Sequence, residues 1–379
     1  MKISLLVPEV NFRPTARPRA CPYCKNSILH RHGTVRKPIK DHGVKEVQAH
    51  RYKCLSCERT FRRYPNGVTG KDQSQRTVVL AALMYGLGLS CSAASHLLGA
   101  LGTEVSKGTV WRDAQEAGEA LRKSCPTGTG GRVVRVLGAD ETVFKVKGRE
   151  VVVGFVVDVA SGRTLGFEVL VEGDGEAFRE WLKPYAEELG AEVLVTDDND
   201  SYSVAAAGLG LSHQLCIAHV RKYVKRRSKS ILEQAEREWG KEAPEKLNKL
   251  EADLGRVREL VEELPGEEGG TQMGRLHRGY SGASPPERKG EKASAAYRTR
   301  MLTLELWNKW PKLLLHLRRP ELDMDGTNNA SERAIGRSKV RYKTMRGYKS
   351  PCGMKNGIGL TQWLYSGEDE HDLAEEMAA

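Results

Sequence analysis

The chain has 379 residues, with 60 Lys+Arg against 49 Asp+Glu, a formal net charge of +11 and a pI near 9.2. That length allows two or three domains and one sizeable core, and the excess of positive charge favours a polyanionic partner, nucleic acid first, through counterion release. Singly scattered Cys91, Cys125, Cys216 and Cys352 argue against a disulfide framework, and residues 1–10 lack the apolar run of a signal peptide, so a reducing cytoplasm is expected.

Cys21-Pro-Tyr-Cys24 and Cys54-Leu-Ser-Cys57 are two C-x-x-C knuckles separated by 29 residues. Each presents two thiolates from a tight turn, and four thiolates fill the tetrahedral shell of Zn²⁺ at about 2.3 Å. A redox pair would be expected beside a βαβ pattern, which does not surround these cysteines. Tyr23, Phe61 and the strand-like stretch 49–53 suit two hairpins stacked on one ion, so residues 1–70 read as a zinc ribbon. His30, His32, His42 and His50 lie between the knuckles as replacement ligands, although four sulfurs suffice.

Residues 71–125 read as a helical DNA-binding unit. The first helix covers 77–87 and is broken at Gly86 and Gly88; Ser90 caps a second through Leu98, with Ala93, Ala94, Leu97 and Leu98 inward. A third runs from about 106 to 122, with Val110, Trp111, Ala114 and Ala117 as its buried stripe. Lys107, Thr109 and Arg112 near its start have helix-turn-helix spacing, in which the recognition helix places N-terminal residues on base edges. An ordinary three-helix packing unit is the alternative. Residues 78–101 carry no Asp, Glu, Lys or Arg, which raises a membrane span, but serines, glycines and His96 interrupt them and buried helices are expected instead.

A Gly-rich joint at 126–131 leads into alternating strand and helix patterns. Strands are expected at 133–139, 143–146, 150–159, 164–171, 191–196 and 212–217, with a hairpin across Lys147-Gly148-Arg149. An amphipathic helix spans 175–189, with Pro184 as a possible kink. This order gives a mixed α/β sheet. Asp140 and Asp197 stand at the ends of two apolar strands, where carboxylates of open α/β sheets face a ligand crevice; turn and helix-capping roles compete with that reading. Residues 226–322 follow: a charged helical stretch at 233–264, a mobile low-complexity segment at 265–295, and a helix at 297–317 whose Trp307 and Trp310 serve a core or, alternatively, stack on a base.

Glu332 lies in Thr327-Asn-Asn-Ala-Ser-Glu-Arg-Ala-Ile335, and its distance from Asn329 is that of a capping box, so a local structural role is open. Arg333, Arg337, Lys339, Arg341, Lys343, Arg346 and Lys349 then put seven cations within 17 residues. Such a strip suits an anionic backbone lying across it.

Gly138-Ala-Asp-Glu141, Val195-Thr-Asp197, Cys216-Ile-Ala-His219 and Asn328-Asn-Ala-Ser-Glu-Arg333, in that order, resemble the signatures of bacterial insertion-sequence DDE transposases over roughly residues 133–365. The resemblance implies an α/β fold: an RNase H-like mixed sheet at 126–366 carrying a helical insertion at about 226–322, preceded by the ribbon and the helix-turn-helix. It implies a catalytic triad of Asp140, Asp197 and Glu332 around Mg²⁺ or Mn²⁺, and its C-x-x-H element maps onto Cys216 and His219; two ligands alone favour a structural role for that pair over metal binding. It further implies cleavage at element ends and strand transfer into target DNA, by a homo-oligomer in the nucleoid with no membrane role. An inactive DNA-binding descendant and a nuclease without strand transfer are the competing readings. The acidic tail, 367–379, is expected to fray.

Overall fold

The fold comes from a computed structural model that describes residues 6–14, 16–124, 133–170, 175–240, 242–288, 291–344, 347–365 and 373–377. The Gly-rich joint at 126–131, Cys125 and Arg346 lie outside the described residues. The chain divides into two units. The first comprises residues 1–126, 143–151 and 335–379, the second 127–142 and 152–334.

The first unit opens with a three-stranded antiparallel sheet, β1 (Leu29–Pro38), β2 (Glu46–Cys54) and β3 (Thr60–Arg63), in that spatial order. Alternation sets its faces at this end: Tyr52 and Cys54 are buried, while Arg51 before them is exposed and Lys53 between them is partly so. Tyr52 lies opposite Phe61, the two rings stacking at 5.8 Å. Asp41 ties this sheet to the start of the first helix. Its carboxylate is fully buried, accepts from the backbone N–H groups of Gly43 and Val44 at 2.8 Å and from Ser74 Oγ at 2.6 Å, and pairs with Arg76.

Three helices come next, α1 (Gln75–Gly86), α2 (Cys91–Ala100) and α3 (Lys107–Ser124). Ser74, Ser90 and Ser106 each accept a backbone N–H three residues on, which satisfies a first-turn donor of each helix. The expected inward residues are corrected in three places. Ala93 and Leu97 of α2 and Trp111 of α3 are exposed, whereas Ala94 and Leu98, and Val110, Ala114, Ala117 and Leu121, are buried. At 3.6 residues per turn the buried sets share one stripe, and Leu97 and Trp111 each sit about 100° away from it.

α12 (Pro351–Leu364) crosses α3 so closely that a Cβ on Gly118 would stand 2.2 Å from the Asn356 carbonyl oxygen. In the tail, α13 (Leu373–Glu376) buries Leu373 among Val79, Leu121 and Leu360, so this part of the expected frayed segment is packed. Residues 366–372 and 378–379 lie outside the described residues.

A five-stranded sheet has the order β6-β5-β4-β7-β8, from β4 (Val136–Val146), β5 (Arg149–Asp158), β6 (Thr164–Leu170), β7 (Val193–Thr196) and β8 (Ser212–Leu215); all of it but residues 143–151 belongs to the second unit. β5 and β6 are antiparallel, while β4, β7 and β8 run parallel. This is the mixed sheet expected. The β4–β5 hairpin turns on Lys147 and Gly148, both with positive φ (51° and 81°), as a two-residue turn matching strand twist requires. α4 (Gly175–Leu189) and α5 (Asp200–Gly208) bury Phe178, Trp181, Leu182, Tyr185 and Tyr202 with Leu137 and Leu194 of the sheet.

A second core joins α6 (Ile217–Trp239), α7 (Pro244–Glu263), α8 (Glu267–Gly279) and α9 (Ala295–Leu313), and the short α10 (Leu315–Arg318) that follows buries none of its residues. Helix α8 corrects the expectation of a mobile segment over 265–295 for residues 267–279. Its glycines are packing residues: a Cβ on Gly269 would fall 2.2 Å from Trp310 and one on Gly274 3.0 Å from Trp307. Trp310 is buried and donates its indole N–H to Gly266 O at 2.8 Å, whereas Trp307 stays partly exposed beside His277. No described helix is long and apolar enough to cross a membrane. Helix α11 (Asn329–Thr344) starts in the second unit and ends in the first.

Candidate active site

Asp140 lies inside β4, not at its end, because 133–139 and 143–146 belong to one continuous strand. The apolar pattern breaks there because the neighbouring β7 stops at Thr196, which opens one side of β4 to polar side chains. The parallel register pairs Gly138 with Val195, and Asp140 and Asp197 each lie two residues beyond that pair, near enough for the Asp197 charge to act on Asp140. Burial, then the charges of Asp197 and Glu141, push the Asp140 carboxyl up to about 7. Burial and the Glu141 charge raise Asp197 as well. The Glu141 N–H donates to Asp140 Oδ1 at 2.9 Å, while Asp197 Oδ1 is buried with no hydrogen-bond partner among the described residues. Burial and neighbouring negative charge thus disfavour the ionised forms of Asp140 and Asp197, and a cation at this place would relieve both. The orphaned oxygen and the all-oxygen donor set fit a hard divalent ion such as Mg²⁺ or Mn²⁺.

Neighbouring acids are occupied differently. Glu141 accepts from the Tyr202 hydroxyl and from Asn199 Nδ2 at 3.3 Å, so it is anchored to α5. Asp198 forms an ion pair with Lys309 of α9 at 2.6 Å, and Lys309 also reaches Glu305 at 2.8 Å. Asp200 opens α5 behind its cap, Asn199. Lys309 is a site neighbour that sequence reasoning missed, since nothing local links residue 309 to residue 198.

The capping reading of Glu332 is corrected by the helix start. α11 begins at Asn329, so Asn328 is the capping residue, and its partner three places on is Ser331, whose hydroxyl donates to Asn328 Oδ1 at 2.7 Å. Glu332 stands one place beyond, in the first turn, with His219 Nε2 3.6 Å from its Oε1. The Cys216 thiol beside His219 holds that imidazole's pKa above its usual value.

Asn328 locks three segments together. Its backbone N–H donates to Cys216 Sγ at 3.3 Å and its side-chain amide to Ala139 O at 2.8 Å, the residue before Asp140. Gly138 permits this approach, because a Cβ there would stand 2.8 Å from Ser331 Oγ and 3.0 Å from Asn328 Oδ1. Four short motifs far apart in the chain thus meet around one strand.

In the first unit, Cys21, Cys24, Cys54 and Cys57 bring their sulfurs within 4.8 Å of one another, with Cys21–Cys57 at 3.7 Å and Cys24–Cys54 at 3.5 Å. A tetrahedron of sulfurs about 2.3 Å from Zn²⁺ has edges of about 3.8 Å, so the set fits that ion. His30, His32, His42 and His50 are not in this group.

The expected DNA-contacting residues are placed unevenly. Lys107 and Arg112 are exposed at the start of α3, where Arg112 reaches Thr109 Oγ1 at 3.2 Å. The basic strip, in contrast, does not remain one exposed surface. Arg341 is 1% exposed, lies 3.5 Å above the Tyr85 ring and donates to Leu89 O at 2.8 Å, which removes it from any surface for DNA. Arg337 stacks on Tyr365 at 4.9 Å, and Lys339 donates to Val143 O at 2.8 Å. Arg333, Lys343 and Lys349 are exposed.

Residues 74–356 match the family described as Transposase IS66 family. No curated protein sequence matches the chain. Among solved structures, the Drosophila P element transposase strand transfer complex aligns at 10% identity over 80% of this chain and 94% of its own, with a TM-score of 0.40. The catalytic core domain of BIV integrase aligns at 10% identity over 45% of this chain and 97% of its own, with a TM-score of 0.20. The simian T-cell lymphotropic virus intasome, in complex with a PP2A regulatory subunit, aligns at 18% identity over 38% and 58%, with a TM-score of 0.21.

Proposed function

Because the chain belongs to the IS66 family of transposases, a DDE family with an RNase H-like core, we propose that it cleaves DNA at the ends of an insertion element and joins them to target DNA. Asp140, Asp197 and Glu332 are the catalytic carboxylates in this reading. The observation that carries it is Asp140 near enough to Asp197 to feel its charge, both resisting ionisation, with Asp197 Oδ1 buried and unpartnered.

Asp140, Asp197 and Glu332 would hold Mg²⁺ or Mn²⁺, which would supply activation of a water or 3′-hydroxyl and stabilisation of the leaving oxygen. The chain's own residues prepare that site. Asp140, whose carboxyl is pushed up to about 7, would give up its proton as positive charge arrives, and Lys309 neutralises Asp198 so that the cluster does not gain a further free acid. Asn328 and Cys216 fix the first turn of α11 against β4, and with it Glu332. In the first unit, four cysteines hold a structural Zn²⁺, and α1–α3 act as a helix-turn-helix in which Lys107, Thr109 and Arg112 read the terminal repeats. Arg333, Lys343 and Lys349 contact phosphates. A homo-oligomer assembled on DNA, with two ends held together, completes the reaction.

Asp140→Asn, Asp197→Asn and Glu332→Gln test the triad. Each keeps size while removing charge. The expected result is loss of cleavage and transfer in Mg²⁺ or Mn²⁺ with binding of element ends retained. An active Glu332→Gln enzyme would exclude Glu332 from catalysis. If the parent protein binds ends but never cuts them under any divalent metal, it is a DNA-binding regulator. Cutting without joining would make it a nuclease.

A further inference from the structure

The formal charge of the protein is not spread over it. Residues 1–70 hold 15 Lys+Arg against 4 Asp+Glu, so the whole +11 lies there; residues 71–379 are balanced, 45 against 45. The segment's acids do little to offset this. Asp41 is buried against Arg76, and Glu46 pairs with Arg36 at 3.5 Å.

The sheet lines up three of these cations on one face. Arg51 of β2 lies directly opposite Arg62 of β3, and Lys53 lies opposite Thr60 on β3 and His30 on β1. Side chains alternate along a strand, so His30, Arg51, Lys53, Thr60 and Arg62 share the face away from Tyr52 and Phe61. Arg51 and Arg62 are exposed, and no ion pair engages Arg51, Lys53 or Arg62 among the described residues. Like charges directly opposite one another destabilise a sheet. An anion lying across Arg51 and Arg62 offsets that repulsion, and the row of cations suits a run of phosphates. The α11 segment is a weaker candidate, since Arg341, Arg337 and Lys339 are engaged within the protein.

We propose that this face of the ribbon, centred on Arg51 and Arg62, is the protein's main contact with the phosphate backbone of duplex DNA, independent of sequence. The inference rests on the reading of the protein as DNA-binding. Cations that neutralise phosphates release condensed counterions, so the slope of log K against log salt falls by about 0.9 for each contact removed.

The test uses the full chain and a short random-sequence DNA duplex, titrated at several KCl concentrations. The combined Arg51→Ser, Lys53→Ser, Arg62→Ser variant should lower the slope by about 2–3. A Lys343→Ser, Lys349→Ser control should lower it less. Arg62→Glu guards against misfolding: it creates an Arg–Glu pair across β2 and β3, so the melting temperature should hold or rise while affinity falls at least about tenfold at low salt. Unchanged slopes in both ribbon variants, with steep salt dependence in the parent, would overturn this inference and leave the transposase reading standing. No affinity of the parent for any duplex would overturn both.

Discussion

Among the acids of the candidate site, each carboxylate's function depends on what faces it. Asp197 and Asp198 are adjacent in sequence, yet one carries an unpartnered buried oxygen and the other an ion pair with Lys309. Asp198→Asn should therefore keep cleavage and strand transfer while lowering stability by about 1 kcal/mol or less, as for a half-exposed pair. Asp197→Asn should abolish both reactions. Cleavage assays on the two proteins decide between these acids, and an inactive Asp198→Asn enzyme would reverse the assignment. Asp113 in α3 offers a second test. It is buried, accepts from Gln73 Nε2 at 2.7 Å, and burial raises its carboxyl to about 6. With the folded value above the unfolded one, the folded state loses stability as pH rises from about 4 to about 6. Asp113→Asn keeps the acceptor and should add about 1–2 kcal/mol at pH 7 and nothing at pH 4. Thermal melts across that range would show it.

At the scale of elements, α8 and α9 show glycine used as a packing residue. Gly269 and Gly270 admit the face of Trp310, and Gly274 admits Trp307. Gly269→Ala should destabilise the helical insertion by about 1–3 kcal/mol, since the added methyl must displace a fully packed indole. Trp310→Ala should cost about 3–5 kcal/mol. Trp307→Ala, at a site 39% exposed, should cost clearly less. Denaturant unfolding of the three variants ranks them; equal losses for both tryptophans would refute the division of roles. A strand is governed by the same kind of distant partner. β4 continues through three polar residues because its hairpin partner and turn hold it, not because its own alternation demands it.

For the whole molecule, two anchors in the first unit carry more than their share. Four cysteines join the turn before β1, the end of β2 and the turn before β3, beside a small cluster of Leu29, Tyr52 and Phe61. Removal of metal by a chelator, or a Cys54→Ser, Cys57→Ser variant, should release one equivalent of Zn²⁺ and expose 20–65 to protease while the second unit stays folded. Retention of a full equivalent by that variant would rule the site out. Asp41 is the other anchor. Its partners hold the carboxyl well below the ordinary carboxylate range, first by burial offset by the Arg76 and Ser74 hydrogen bonds. A depressed folded value contributes stability above about pH 4 that is lost as pH falls further. Asp41→Ala, which strands Arg76 in a half-buried setting, should destabilise by about 3 kcal/mol. Melts at pH 7 and pH 3 should differ less for the variant than for the parent.

What the sequence determined by itself was whatever depends on near neighbours or on ligand chemistry. The two knuckles could be matched to a metal because four thiolates are a donor set. Ser90 and the stripe of Val110, Ala114 and Ala117 marked helices because capping and a 3.6-residue period are local. The acids at residues 140 and 197 stood out against apolar strands, and the order of four short motifs pointed to the family. Tertiary structure decided the rest, because it turns on residues far apart in the chain. Glu332 is freed from capping by Ser331 and Asn328, and Asn328 is in turn held by Cys216 and Ala139. Arg341 is a core cation because Tyr85 lies beneath it. The glycines of α8 indicate disorder in composition and close packing in three dimensions, since only the indoles opposite them say which use a missing Cβ serves.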